Sequence, residues 1–293
     1  MSDTHKETLK ISALNQDPFD RQKYIPGWNQ SALEVGKILI VGAGALGNEV
    51  SKNLAQCGVG AITIVDSDQV ELTNLNRCVY FRRSDIGSQK ATTLGRRIRE
   101  YFPDTAVTEI CGRFEDVDDV VLKGTDLVVS CVDNMGTRLT INRWCAELKT
   151  PLVDGGTDGL YGRVQTILPP DSTCLDCGWR ETHRSFLLER HRCGQKSSWF
   201  EQPDLAVSTA TSAVAACQSM EVIKVLGLTH SESQIDLDDR TLNTLSNKLW
   251  LLDFHTNQVQ VLQNPRDPEC PYHDHSSQVC EPDISESETS DGE

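Results

Sequence analysis

The stretch KILIVGAGALGNEV, Lys37 to Val50, decides how the rest of the chain is read. Four apolar residues, Ile38 to Val41, suit a buried parallel strand. Gly42, Gly44 and Gly47 then let the backbone approach a phosphate held at the N-terminus of the helix that follows. Dehydrogenases, methyltransferases and adenylating enzymes all use such turns, so the chemistry must be read from residues further along.

Outward from this turn, apolar runs recur at Ile38–Val41, Ala61–Val65, Leu127–Cys131 and Leu152–Asp154, separated by helical patterns at Leu46–Cys57 and Gln89–Phe102. Strand alternating with helix predicts an α/β fold, Rossmann-like, with a mixed but mainly parallel sheet. After Pro151 the rhythm changes: YGRVQTILP and KLWLLDFHTNQVQVL read as antiparallel strands, the second a hairpin turning near Thr256–Asn257. The sheet is therefore expected to carry an antiparallel C-terminal extension. Asp204–Leu226, rich in Ala, Ser and Thr, suits a helix packed closely beneath a sheet. The expected organisation is an N-terminal arm at 1–30, a folded domain at 31–275 with a crossing loop at about 170–203, and an acidic tail at 276–293. The tail carries Glu281, Asp283, Glu286, Glu288, Asp291 and Glu293 without a base and is expected to be disordered.

The formal charge of −15 argues against nucleic-acid binding through phosphate neutralisation. No apolar run approaches the roughly 20 residues needed to cross a bilayer, and Met1–Leu14 lacks the pattern of a secretory signal. A cytoplasmic protein is expected, without nucleic-acid or membrane partners. The 11 cysteines fit a reducing compartment, with Cys57, Cys111, Cys131, Cys145 and Cys217 read as small buried hydrophobes. The basic run RRSDIGSQKATTLGRRIR reads mostly as a solvated helix face.

Asp66 ends the second strand 19 residues after Gly47, the spacing at which a carboxylate reaches ribose hydroxyls. An NAD-dependent oxidoreductase fits equally well to this point. Asn74, Asn76, Arg77 and Lys90 follow, and an enzyme that splits a triphosphate needs such amides and cations. Asp133, in VVSCVDN, lies beyond the end of a predicted strand and suits a magnesium ion or its water shell. Each has a structural alternative: Arg77 as an ion pair, Asp133 as the N-cap of a helix starting at Met135.

Two C-x-x-ligand pairs, Cys174 with Cys177 and Cys270 with His273, have a spacing that zinc accepts, with His275 as a competing ligand. Four protein ligands would make the site structural. Cys193 lies among Arg190, His191, Arg192 and Lys196, positive neighbours that favour a thiolate; an incidental exposed cysteine or an additional metal ligand is the alternative.

The combination VGAGALG, GVGAITIVDSD, NLNR, DIGSQKA, VDN and GRVQTILP, in that order, resembles the ThiF/MoeB/HesA family of ubiquitin-activating (E1-like) adenylyltransferases from Asp17 to about His273. The resemblance implies that ATP-dependent adenylation of the C-terminal glycine of a ubiquitin-like protein ending in Gly-Gly is the activity, releasing pyrophosphate. It further implies that Gly42, Gly44 and Gly47 line the nucleotide turn, Asp66 binds ribose, Asn74, Arg77 and Lys90 contact phosphates, and Asp133 serves magnesium. The family places a zinc site at the two knuckles, commonly with a fourth cysteine where His273 stands. In FDRQKYIPGW, Arg21 matches a family arginine that crosses a homodimer interface to the partner's ATP. Part of the family passes the activated protein to a loop cysteine, the role that falls to Cys193, or onward to a thiol carrier or sulfur donor. Two departures stand out: Cys78 replaces the usual Gln after NLNR, and Pro18 replaces the first arginine of the arm. The alternatives are adenylation of another carboxylate, on a peptide or a tRNA-linked nucleoside, and the NAD-dependent oxidoreductase.

Overall fold

The computed structural model describes residues 17–178, 205–229, 243–268 and 270–273. Its frame is an eight-stranded sheet in the order β3-β2-β1-β4-β5-β6-β7-β8. The strands are β1 (Lys37–Val41), β2 (Ala61–Val65), β3 (Ala106–Ile110), β4 (Leu127–Ser130), β5 (Leu152–Asp158), β6 (Tyr161–Ile167), β7 (Lys248–Asp253) and β8 (Gln258–Gln263). The first five pair in parallel, and β5 through β8 pair antiparallel. The helices are α1 (Asp20–Lys23), α2 (Gln30–Val35), α3 (Ala45–Gln56), α4 (Lys90–Tyr101), α5 (Asp119–Lys123), α6 (Met135–Leu148) and α7 (Ser208–Thr229).

Alternate residues of β1 feed two cores, which is why it reads as an unbroken apolar run. Ile38 and Ile40 join Val50 and Leu54 of α3, Leu94 of α4 and Val214 and Val222 of α7 on one face. Leu39 and Val41 join Phe114, Ile141 and Cys145 on the other. The close packing of α7 on the sheet needs a glycine in β6: Val214 lies against Gly162, where an added Cβ would come within 2.2 Å of its side chain. The hairpin β7–β8 turns at residues 254–257, with Asn257 at φ 55°. Among the described residues no helix is long and apolar enough to cross a membrane.

The structure corrects several expectations. β3 has no counterpart in the predicted strands, because AVTEI is a half-exposed edge whose Thr and Glu hide its pattern. β5 runs four residues beyond Asp154, through a Gly-Gly pair. Cys111 is exposed, its Sγ 3.2 Å from Thr92 Oγ1, and Cys57 and Cys217 are half-buried; Cys131 and Cys145 are buried as expected. Arg97 is buried rather than on a solvated face, its Nη2 3.2 Å from Asp85 Oδ2 and its Nη1 3.0 Å from Glu100 Oε2. Cys193 and His275, most of the crossing loop and the acidic tail lie outside the described residues.

Candidate functional site

β1 pairs with both β2 and β4, so the strand order reverses there and a crevice opens at the carboxyl ends. Register brings three segments level. Gly42 N–H donates to Val65 O at 2.8 Å, Cys131 N–H to Val41 O at 2.8 Å, and Asp66 N–H to Ile110 O at 3.1 Å. The glycine turn, Asp66 and the segment leading to Asp133 thus share one edge.

The three glycines of the turn are required for different reasons. Gly42 has φ +99°, and a Cβ there would lie 2.7 Å from Cys131 O. A Cβ on Gly47 would lie 1.9 Å from Gly42 O. Gly44 has nothing within 4 Å of such an atom and, as N-cap of α3, offers no side-chain cap to the helix N–H groups. The chain itself does not need glycine at 44; the open space beside uncapped N–H groups suits a phosphate. Gly47→Ala should therefore lower the melting temperature, while Gly44→Ala should leave it nearly unchanged and weaken ATP affinity instead. Thermal melts and calorimetric titration separate the two effects; equal destabilisation by both would remove the argument for a ligand at Gly44.

Asp66 accepts from Ala43 N at 2.6 Å and from Asp68 N at 2.7 Å. Burial nonetheless pushes its carboxyl above the usual range, against those two bonds and nearby Lys90. Lys90, at the start of α4, is largely buried with Nζ 2.9 Å from Asp68 Oδ2. Burial works against its charge, but the hydrogen bond from Lys90 to Asp68 and the carboxylate of Asp66 prevail, holding the ammonium above its usual value. Cys78 is 2% exposed in the same region, and burial raises its thiol to about 11, so it is no thiolate nucleophile at neutral pH.

Arg77 is half-buried; its Nη1 donates to Thr73 O at 2.6 Å and to Asn76 Oδ1 at 3.1 Å, with no carboxylate partner among the described residues. The ion-pair alternative is not realised there. Asn74 caps a short 3₁₀ turn, accepting from Glu71 N at 2.9 Å, so it has a local structural role whatever it does for phosphates. Asp133 is exposed and does not cap α6; that position belongs to Asn134, which accepts from Thr137 N at 2.8 Å. The capping alternative is removed; the Asp133 carboxylate accepts from Asn134 Nδ2 at 3.5 Å and faces solvent, and an exposed carboxylate is a donor type that could hold magnesium.

Beside Asp133, a cavity of about 490 Å³ opens over one face of the antiparallel extension. Its lining includes Arg138, Asp158, Tyr161, Arg163 and Asp253. Arg138 and Arg163 share the fully buried Asp154, with N–O separations of 2.5 Å and 2.9 Å. Burial, more than the field of Arg138, lowers the Arg163 pKa, while Asp154 opposes the shift. Sequence reading missed this triad, since Asp154, Arg138 and Arg163 sit on three elements and match no spacing rule.

The two knuckles do come together. Cys174, Cys177, Cys270 and His273 place one donor atom each within 4.8 Å of one another. Cys174 Sγ lies 3.8 Å from Cys177 Sγ and 3.6 Å from Cys270 Sγ, and His273 Nε2 lies 2.9 Å from Cys177 Sγ. Zn–S bonds of about 2.3 Å give a tetrahedral S–S edge of about 3.8 Å, so the sulfur set fits zinc. The protein also ties the knuckles independently: Asn142 of α6 accepts from Leu175 N and donates to Asp176, and Thr173 hydrogen-bonds Asn247 and Asn264 at the hairpin.

Arg21 lies far from these groups. Gln22, its neighbour in α1, donates to Cys57 O at 2.9 Å, and Phe19 packs on Gly58, both at the C-terminal end of α3. The 12 residues of α3 separate that point from the glycine turn by about 18 Å.

A glycine turn at the switch point of a parallel sheet, a carboxylate at the same edge and a cavity over an antiparallel extension define a Rossmann-like α/β protein. The chain belongs to the ThiF family, which it matches over residues 19–272. It is similar to the sulfur carrier protein ThiS adenylyltransferase of Escherichia coli, 29% identical over 245 residues, covering 83% of this chain and 87% of that one. It is also similar to the NEDD8-activating enzyme E1 catalytic subunit of Drosophila melanogaster, 36% identical over 154 residues, covering 48% of this chain and 34% of that one. The match spans about a quarter to two fifths of the length of the NEDD8- and SUMO-activating subunits it resembles. Its fold is shared with E. coli MccB in a crystal structure with ATP, at a TM-score of 0.63 and 23% identity, over 83% of this chain and 68% of that one.

Proposed function

We propose that the protein uses ATP to adenylate the C-terminal glycine carboxylate of a ubiquitin-like protein ending in Gly-Gly, giving an acyl-adenylate and pyrophosphate. The observation that carries this reading is the open cradle at Gly44 sharing one edge with an exposed Asp133 that caps no helix, beside a cavity able to admit a peptide tail. The carboxylate oxygen attacks the α-phosphorus, and the bond to the bridging oxygen of pyrophosphate breaks. No protein nucleophile is needed, so the chain's task is positioning and charge neutralisation. Asp66 orients the ribose, the N-terminus of α3 receives phosphate, and Lys90 and Arg77 balance the charge that develops on the leaving group. Asp133 would hold magnesium, which shields the phosphate oxygens when bound. A tail in the cavity would pass Arg163 and Tyr161 on its way to the α-phosphate. The Cys₃His set would hold a structural zinc, and Cys193 remains the candidate thiol for a later transfer, with a sulfur donor or thiol carrier as the alternative acceptor.

Pyrophosphate exchange, screened against ubiquitin-like proteins ending in Gly-Gly, tests the reading. Exchange should appear only with a cognate protein and ATP. Exchange supported by a short peptide alone would move the substrate to a peptide carboxylate, and NAD-dependent turnover without exchange would end the adenylation reading.

Arg21 fits this scheme only from a second copy of the chain, because the length of α3 puts it beyond reach of its own turn. Mixing inactive Arg21→Ala with inactive Lys90→Ala subunits should restore about a quarter of wild-type exchange. Half of the randomly mixed dimers are heterologous, and each rebuilds one intact site of two. No recovery despite proven subunit exchange would defeat the trans arrangement and leave adenylation standing.

A further inference from the structure

We propose that Asn48 is a positioning residue, a latch that holds the nucleotide turn in register with the segment carrying Arg77; the proposal rests on the ATP reading above. Asn48 is 0% exposed, in the first turn of α3. An amide at such a place is costly unless every polar atom is satisfied, and here each one is. Nδ2 donates to Ala43 O at 2.8 Å and to Gly44 O at 3.0 Å, while Oδ1 accepts from Tyr80 N at 3.2 Å. The amide orientation is forced, since the flipped form would set its oxygen against two carbonyls and its NH₂ against an N–H donor.

The bonds of Asn48 join groups from distant parts of the chain. Ala43 is gripped at its N–H by Asp66 and at its carbonyl by Asn48, which fixes the peptide units on both sides of the residue in the middle of the glycine turn. Tyr80 is gripped at its N–H by Asn48 and at its carbonyl by Arg97 Nε at 3.3 Å. Arg97 belongs to α4, the helix that begins with Lys90, and is itself held by Asp85. A chain of hydrogen bonds, buried from Ala43 onward, therefore runs from Asp66 through Ala43, Asn48 and Tyr80 to Arg97. The Arg77 segment hangs on its middle, tied by successive turns in which Arg77 N and Cys78 N donate to Asn74 O and Phe81 N to Cys78 O. Asn48 touches no substrate. It sets the distance between the turn that takes the inner phosphate and the cation that meets the outer ones, so its loss should act on the triphosphate end of the ligand.

The test is a double-mutant cycle read as the ratio of AMP to AMP-CPP dissociation constants, by calorimetry with magnesium present in every titration. Wild type should favour AMP-CPP, and Arg77→Ala should reduce that preference about tenfold. Asn48→Asp at pH about 8 keeps the acceptor for Tyr80 but turns an anion onto two carbonyl oxygens. It should reduce the preference by a similar factor, and the double variant should go little further, because interacting residues are not additive. At pH about 5.5 a protonated Asp regains one donor, so the preference should return toward wild type measured at the same pH, while Arg77→Ala stays low. Should Asn48→Asp fail to fold at the higher pH, Asn48→Ser, whose hydroxyl can bond back to Gly44 O but cannot span to Tyr80, should fold and show the same loss. A normal preference in a destabilised Asn48 variant, or effects of Asn48 and Arg77 that simply multiply, would overturn the latch. Wild type that binds no AMP-CPP would instead defeat the ATP reading, and the latch with it.

Discussion

Asp133→Asn and Lys90→Ala should each lower pyrophosphate exchange by about a hundred- to a thousandfold, the range seen when one preorganised electrostatic contact to a transition state is removed. The fold should survive in both. Asp133 is exposed and does not cap α6; its Oδ1 accepts only a long 3.5 Å bond from Asn134 Nδ2, and an Asn side-chain oxygen can still accept it. Lys90 is largely buried, but its ion pair is to Asp68, itself 65% exposed, which water can resolvate. Circular dichroism and melting curves establish the fold, and exchange with a cognate protein reads the chemistry. Because Asn is isosteric with Asp, Asp133→Asn isolates the charge. Wild-type exchange in either folded variant would remove these residues from the proposed site.

Chelation of the metal, or Cys174→Ser, should cost the protein about 10 °C of melting temperature or more. The knuckles at Cys174–Cys177 and Cys270–His273 lie about 90 residues apart in sequence, and closing a loop of that length stabilises by about 3–5 kcal/mol in a chain-entropy estimate. At about 2–4 °C per kcal/mol for a chain of this size, the shift is large enough to measure directly. The purified protein should hold about one zinc per chain, and Cys174→Ser should lose both metal and stability. The loss should be cooperative with the hairpin, because Thr173 bridges to Asn247 and Asn264 beside the cluster. A metal-free protein of unchanged stability would contradict the site. Retained zinc in Cys174→Ser would show that another residue replaces that ligand.

Much of the fold was legible because its signals are local. The unbroken run of β1 marks a strand buried on both faces, and the antiparallel character of the strands from Tyr161 onward follows from alternation and a turn at Asn257. The knuckle spacing named the four metal-ligand candidates, and the structure brought those four together. β3 was missed because an edge strand shows half its residues to water and loses the pattern by which strands are recognised. Arg97 was misread for the converse reason: its burial depends on Asp85 and the Tyr80 carbonyl, which are invisible to helical periodicity.

The sequence by itself determined the glycine turn, its strand and helix, the acidic and basic residues that follow, and the metal-ligand types, since backbone conformation and ligand chemistry are properties of a few neighbouring residues. Only the tertiary structure decided between roles that a single residue type can fill. It gave the cap of α6 to Asn134 and so left Asp133 open, put Arg21 at the far end of α3, and set Asp154 between Arg138 and Arg163. It also joined Asn48 to Tyr80 across 32 positions of chain. Such roles are fixed by which groups satisfy one another's hydrogen bonds and charges when water is excluded, and that pairing exists only once the sheet has brought distant segments to a common edge.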